Sequence, residues 1–206
     1  VSREENPSRG PGRENRREAA GILVLALLAA AAYAWLASLG DLRGRLDLLL
    51  PVHVALVVVM IGAWWILRRG TAATLRIALG AALLFRVVAA FGEPTLSDDV
   101  YRYVWDGRVQ AHGVHPYRHA PDDPALVELR DADWESINHR KIPTIYPPLS
   151  QIVFFGLSVV GVGVRGFKLT AGLLDFGVVL ALAYLLRALS LPRDRVLLYA
   201  WNPLAV

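Results

Sequence analysis

Long apolar runs alternate with short polar breaks along most of this chain, and one polar stretch near its middle interrupts the rhythm. Ala19–Leu39, Leu48–Leu67 and Thr71–Phe91 each come close to the roughly 20 residues that a helix needs to cross a bilayer. After the polar stretch from Gly92 to Pro147, Leu149–Val164 and Leu169–Leu189 repeat the pattern, and another apolar run opens near Val196 and reaches Val206. The pattern predicts five spanning helices and the start of a sixth. A chain that stops inside a spanning helix is expected to be the N-terminal part of a longer protein. The first run follows a basic leader, but it is too long for a secretory h-region, lacks a clear Ala-x-Ala exit and is followed by more spans, so it reads as a span. The predicted fold class is therefore all-α, a multi-pass transmembrane helix bundle with a partly helical external loop. It divides into a basic tail over 1–18, three spans over 19–91, the loop over 92–147, and two spans with a truncated sixth over 148–206.

Charge refines this picture. Arg16 and Arg17 precede the first span, Arg68 and Arg69 follow the second, and Arg165 and Lys168 separate the fourth from the fifth. Basic residues mark cytoplasmic ends, so these ends, with Arg3, Arg9 and Arg13 of the tail, are expected inside and the 92–147 loop outside. On this reading Arg43, Arg45, Arg187, Arg193 and Arg195 fall on the outer side and blur the bias. The protein is expected in the plasma membrane or cell inner membrane, multi-pass, with a cytoplasmic N-terminus. Within spans, Arg76 and Arg187 can snorkel to the nearest interface, whereas Arg86 and Asp175 sit deep enough to call for a partner in a neighbouring span or a polar ligand.

Of the 206 residues, 55% are apolar and 19% charged, which rules out a disordered tail or a polar nucleic-acid module. With no cysteine, neither a disulfide framework nor thiol chemistry is available. The net charge of +4 hides an asymmetry: the 92–147 segment holds 10 of the 18 acids, 6 of the 22 lysines and arginines, and 4 of the 5 histidines. The basic excess lies beside the apolar runs, where it reports a lipid surface and topology; no nucleic-acid partner is expected.

The polar segment is rich in tyrosine and tryptophan, including Tyr103, Tyr117 and Tyr146, rings suited to a membrane interface or a sugar face. Ser97 followed by Asp98 and Asp99 reads as a helix start, and Gly113 with Pro116 as a stop, predicting a helix over about 98–112. On it Asp99, Arg102 and Asp106 share one stripe, and Val100, Tyr103, Val104 and Gly107 a neighbouring apolar one. A carboxylate there can accept a proton from an attacking hydroxyl or hold a divalent cation, and an adjacent arginine can bind phosphate. The plainer alternative is that the acids answer the helix dipole and pair with Arg102 on a solvated face. Asp123-Pro124 starts a second short helix to about Arg130. His112, His115 and His119 are separated by Gly113 and Pro116, which breaks any helical metal-ligand spacing. Tyr146-Pro147-Pro148 marks the start of the fourth span.

The run from Ser97 to Gly107, then Gly113-Val114-His115-Pro116-Tyr117, Ile145-Tyr146-Pro147-Pro148 and Trp201-Asn202-Pro203-Leu204, resembles the GT-C class of integral-membrane glycosyltransferases. Within it, the chain is most similar to the N-terminal half of the bacterial polyprenyl-phosphate-mannose-dependent mannosyltransferase branch, from about Thr95 onward. The resemblance implies that Asp99 is the catalytic base, with Asp98 its partner or alternate, in an inverting transfer of mannose to an acceptor hydroxyl. It places Arg102, Tyr103 and Asp106 in the same pocket, with Arg102 or Arg86 as candidate phosphate ligands and Tyr117 and Tyr146 as substrate contacts. The implied partners are a polyprenyl-phosphate sugar donor, a glycan or glycolipid acceptor and the bilayer. Some members of the class hold a divalent metal at the acidic motif; the mannosyltransferase branch implies none at Asp98 and Asp99, and no cofactor. The family's chain continues through further helices, so this portion alone is expected to be inactive. The rival readings are a transporter or flippase using Arg86 and Asp175 as in-membrane charges, and a non-catalytic assembly partner.

Overall fold

The computed structural model describes residues 11–94 and 96–206; Arg3, Arg9 and Thr95 lie outside the described residues. Among the described residues all regular structure is helical: α1 (Pro11–Ser38), α2 (Leu46–Leu67), α3 (Ala72–Phe91), α4 (Asp99–Ala111), a 3-10 turn (Pro124–Leu129), α5 (Ala132–Glu135), α6 (Pro148–Val159), α7 (Val164–Ala188), a 3-10 turn (Arg193–Val196) and α8 (Leu197–Ala200). Four of them, α1, α2, α3 and α7, are long and apolar enough to cross a membrane. The chain packs as two units. One is built from α1, Gly44–Ala89 and Gly172–Val206, the other from Gly40–Arg43 and Ala90–Ala171.

The first unit is held by small residues that let helices approach closely, Ala26 and Ala29 of α1, Ala63 of α2 and Ala78 and Ala82 of α3, interleaved with Ile22, Phe85 and Val179. Trp201, just after α8, is the plug of this core: its ring meets Phe85 edge-on at 5.0 Å and its Nε1 donates to the Ala78 carbonyl at 2.9 Å. The outward positions, among them Leu27, Val54 and Leu174, are exposed and apolar, as lipid-facing positions must be.

Two expectations about spans are corrected. The apolar run Leu149–Val164 is not one membrane-crossing helix. α6 stops after 12 residues, because the Gly161 N–H donates to the Ser158 carbonyl and the Val162 N–H to the Leu157 carbonyl around a left-handed Gly161 (φ +77°). That is a Schellman stop. Twelve residues rise about 18 Å, against about 30 Å of hydrocarbon. The apolar run from Val196 likewise yields only the four-residue α8 before a turn at Trp201.

The crossing count changes with α6. Trp64 Nε1, near the C-terminal end of α2, donates to Asp194 Oδ2 at 2.8 Å, and Arg193 and Asp194 face Gly70 and Thr71 of the α2–α3 turn. The C-terminal end of α7 therefore shares one end of the bundle with the start of α3. At the other end Lys168 Nζ, early in α7, donates to the carbonyl of Gly92 just past α3, at 2.5 Å. The two ends of the segment between α3 and α7 are thereby joined, and among the described residues that segment contains no helix long enough to cross a membrane. Arg193 thus lies beside the α2–α3 turn that follows Arg68 and Arg69, and Lys168 beside Gly92 of the polar segment, the reverse of the arrangement the five-span pattern predicts.

In the second unit α4 lies against α6. Gly107 makes this possible, since a Cβ there would stand 2.3 Å from the Phe154 carbonyl oxygen. Val104, Phe154 and Phe167 form one small core, and Trp105, Val109, Leu126 and Ile137 another on the far side of α4. The second short helix predicted from Asp123-Pro124 is the 3-10 turn, capped by Asp123 Oδ1 accepting from the Ala125 N–H at 2.9 Å.

Candidate active site

The start of α4 falls where Ser97 predicts it: Ser97 Oγ accepts from the Asp99 N–H at 3.2 Å, and Asp98 is the N-cap residue. Successive residues of a helix point about 100° apart, so the two carboxylates diverge. Asp98 turns to the α1–α2 connection, where Arg43 Nη1 donates to both of its oxygens at 2.8 Å. The same guanidinium binds Asp41 through Nε and Nη2, which holds the Asp41 carboxyl down at about 2.

Asp99 is half-buried, and among the described residues it forms no ion pair. Its neighbours are aromatic. Tyr103, one turn on, stacks on Phe154 at 4.7 Å, and the Tyr146 ring meets Tyr103 edge-on at 4.9 Å. The Tyr146 phenol is pushed well above its ordinary range, first by burial, then by Tyr103 and by the Asp99 carboxylate. Tyr103 shifts the same way, again first by burial and then by Asp99. Both phenols therefore remain neutral hydroxyls beside a carboxylate. Tyr117 completes the group, its hydroxyl donating to the Tyr146 carbonyl at 2.5 Å.

The remaining expected residues are placed elsewhere. Arg102 and Asp106 do not line an open face; they are 6% and 2% exposed. Arg102 Nε donates to Asp106 Oδ1 at 2.9 Å and Nη2 to the Ile142 carbonyl, while Gln151 Nε2 donates to Asp106 Oδ2 and to Thr144 Oγ1. The network satisfies its members internally, so the predicted stripe of Asp99, Arg102 and Asp106 separates into one open carboxylate and a buried lock. The solvated-face alternative rests on only one face of α4 being apolar. In fact α6 covers one side and the 124–137 segment the other.

Arg86 belongs to the helix-bundle unit and is 3% exposed. Its Nε donates to Asp175 Oδ2 at 2.6 Å and its Nη1 to the carbonyls of Ala82 and Ala200, and Nη2 approaches the same carboxylate oxygen at 2.6 Å without hydrogen-bond alignment. The histidines serve local roles: His112 bonds the Arg108 carbonyl and His119 the Asp123 carboxylate. Arg43, Gln151 and Thr144 were not singled out by the sequence pattern. Arg43 reads there as a topology charge, and nothing local links it to a carboxylate 55 positions away.

Fold and site together define an all-helical membrane protein that presents, on a folded segment between spans, a carboxylate held by a tyrosine and by no cation among the described residues. Residues 18–196 match the MptA_B family, alpha-(1->6)-mannopyranosyltransferase, N-terminal domain, and the chain belongs to that family. The family is that of a membrane mannosyltransferase, as the motif resemblance implies. No curated protein and no solved structure gives a match.

Proposed function

We propose that this chain carries the base side of an inverting mannosyl transfer from a polyprenyl-phosphate donor. Asp99 accepts the proton of an acceptor hydroxyl as that oxygen attacks the anomeric carbon. The carbon–oxygen bond to phosphate breaks, and polyprenyl phosphate leaves with the electron pair. The observation that supports the reading is the division of labour between adjacent aspartates: Asp98 is committed to Arg43, whereas Asp99 has no cationic partner among the described residues and is held instead by the neutral Tyr146 phenol, an exchangeable hydrogen bond that an acceptor hydroxyl can replace.

Orientation follows from the basic residues. Arg68, Arg69, Arg193 and Arg195 gather at one end of the bundle, the cytoplasmic end by the positive-inside rule, which puts the polar segment on the outer face of the plasma membrane. The acceptor is a glycan or glycolipid reached from that side. A transporter reading would draw on Arg86 and Asp175, but these two bind each other.

The test is transfer of labelled mannose from polyprenyl-phosphate mannose by membranes carrying the full-length enzyme. Asp99→Asn is expected to lower the rate by at least about 100-fold, the ordinary worth of a general base, with protein level and solubility in detergent unchanged. A variant that transfers at near-normal rate removes Asp99 from this role.

A further inference from the structure

On the Asp98 side of α4 the second unit contains an open groove of about 370 Å³. Its polar walls are Arg43, Asp98, Tyr101, Glu135, Ser136 and Asn138, drawn from the α1–α2 connection, the first turn of α4 and the end of α5. The volume is in the range of small-ligand sites. Glu135 and Asn138 are exposed, and among the described residues neither side chain takes part in a hydrogen bond or ion pair.

The groove's charge decides what it accepts. Its one guanidinium, on Arg43, is already shared between Asp41 and Asp98. Around it stand Asp98 and Glu135, with Glu93 and Asp133 close enough that, after burial itself, they and Asp98 push the Tyr101 phenol upward. A phosphate would meet net negative potential here. A neutral polyol would meet carboxylate acceptors, an amide, a hydroxyl and a phenol, all with hydrogen bonds to give or receive.

We propose that this groove is part of the acceptor subsite, binding an uncharged hexose unit of the glycan through Glu135, Asn138 and Tyr101, on the wall formed by Asp98, the chain neighbour of the activating Asp99. The assignment rests on the mannosyl-transfer reading above. It separates the two substrates by charge: the lipid phosphate is excluded from the Asp98 side, and a neutral sugar unit of the acceptor is seated there. Arg43 is a positioning residue that fixes the Asp98 wall.

The test uses the full-length enzyme and α-1,6-mannobiose as probe. Binding without donor, read by saturation-transfer NMR, is expected to weaken at least about tenfold in Glu135→Ala and in Asn138→Ala, to persist in Asp99→Asn, and to be insensitive to inorganic phosphate. In turnover, both groove variants are expected to raise the KM for the mannobiose acceptor and leave the KM for polyprenyl-phosphate mannose unchanged. Both positions are exposed, and circular dichroism of each variant checks the fold. Undiminished mannobiose binding in both variants, displacement of the probe by phosphate, or a shift in donor KM alone overturns the proposal. The binding measurement is independent of turnover, so a fully active Asp99→Asn would sink the base assignment while leaving the groove standing.

Discussion

Each of the two units holds a buried arginine–aspartate pair, and the pairs are built differently. Arg102–Asp106 is a one-turn pair within α4, with side chains 7% and 3% exposed, wrapped by Gln151, Thr144 and the Ile142 carbonyl. Arg86–Asp175 joins α3 to α7 across 89 residues; its arginine is 1% exposed but its aspartate 27%, and Asp175 also accepts from the Tyr199 hydroxyl at 2.5 Å. The first pair fastens a polar segment that has little apolar surface to hold it. The second fastens spans that already pack through small residues. A buried ion pair contributes according to how many other groups depend on it, because desolvation offsets much of its own attraction.

The largest effect should follow from breaking the wrapped pair. Asp106→Ala leaves a buried guanidinium uncompensated and strips Gln151 of a partner, and is expected to destabilise the second unit by about 3–5 kcal/mol. The readout is loss of monodisperse protein on size exclusion in detergent and a lowered thermal midpoint. Replacing both Arg102 and Asp106 with Met and Leu should recover part of that loss; if the double variant is no better than the single one, the pair is not the source of the effect.

Asp175→Asn keeps an acceptor for Arg86, and the Ala82 and Ala200 carbonyls remain, so a loss of about 1.5–3 kcal/mol is expected, at the level of one charged hydrogen bond. A shift equal to that of Asp106→Ala would erase the distinction drawn between the units. The smallest stability effect belongs to Arg43→Ala, whose ion pairs stand in solvent and are screened by it. Its thermal midpoint should barely move, while the acceptor KM rises as the Asp98 wall loosens.

The spans α1, α2, α3 and α7 are legible in the sequence because lipid imposes apolar length on them. α6 is not, because an apolar run reports burial in hydrocarbon or core and says nothing of whether one helix fills it. Gly161 and Gly163 are the signal inside that run, but glycines also occur within spanning helices. At the site, local pattern placed Asp98 and Asp99 at the start of α4. It could not say which of them is free, since that depends on Arg43, which reaches Asp98 from beyond two intervening spans in the chain. The burial of Arg102 and Asp106 is not legible, as a pocket or as a solvated face, because the groups that enclose them, Thr144 and Gln151, lie about 40 positions further on and look unremarkable in sequence.

The hydrogen bond from Lys168 to the Gly92 carbonyl clasps a stretch of 76 positions at its base. The two ends of that stretch are pinned to each other, so residues between them can be inserted or removed without altering the spacing of those ends.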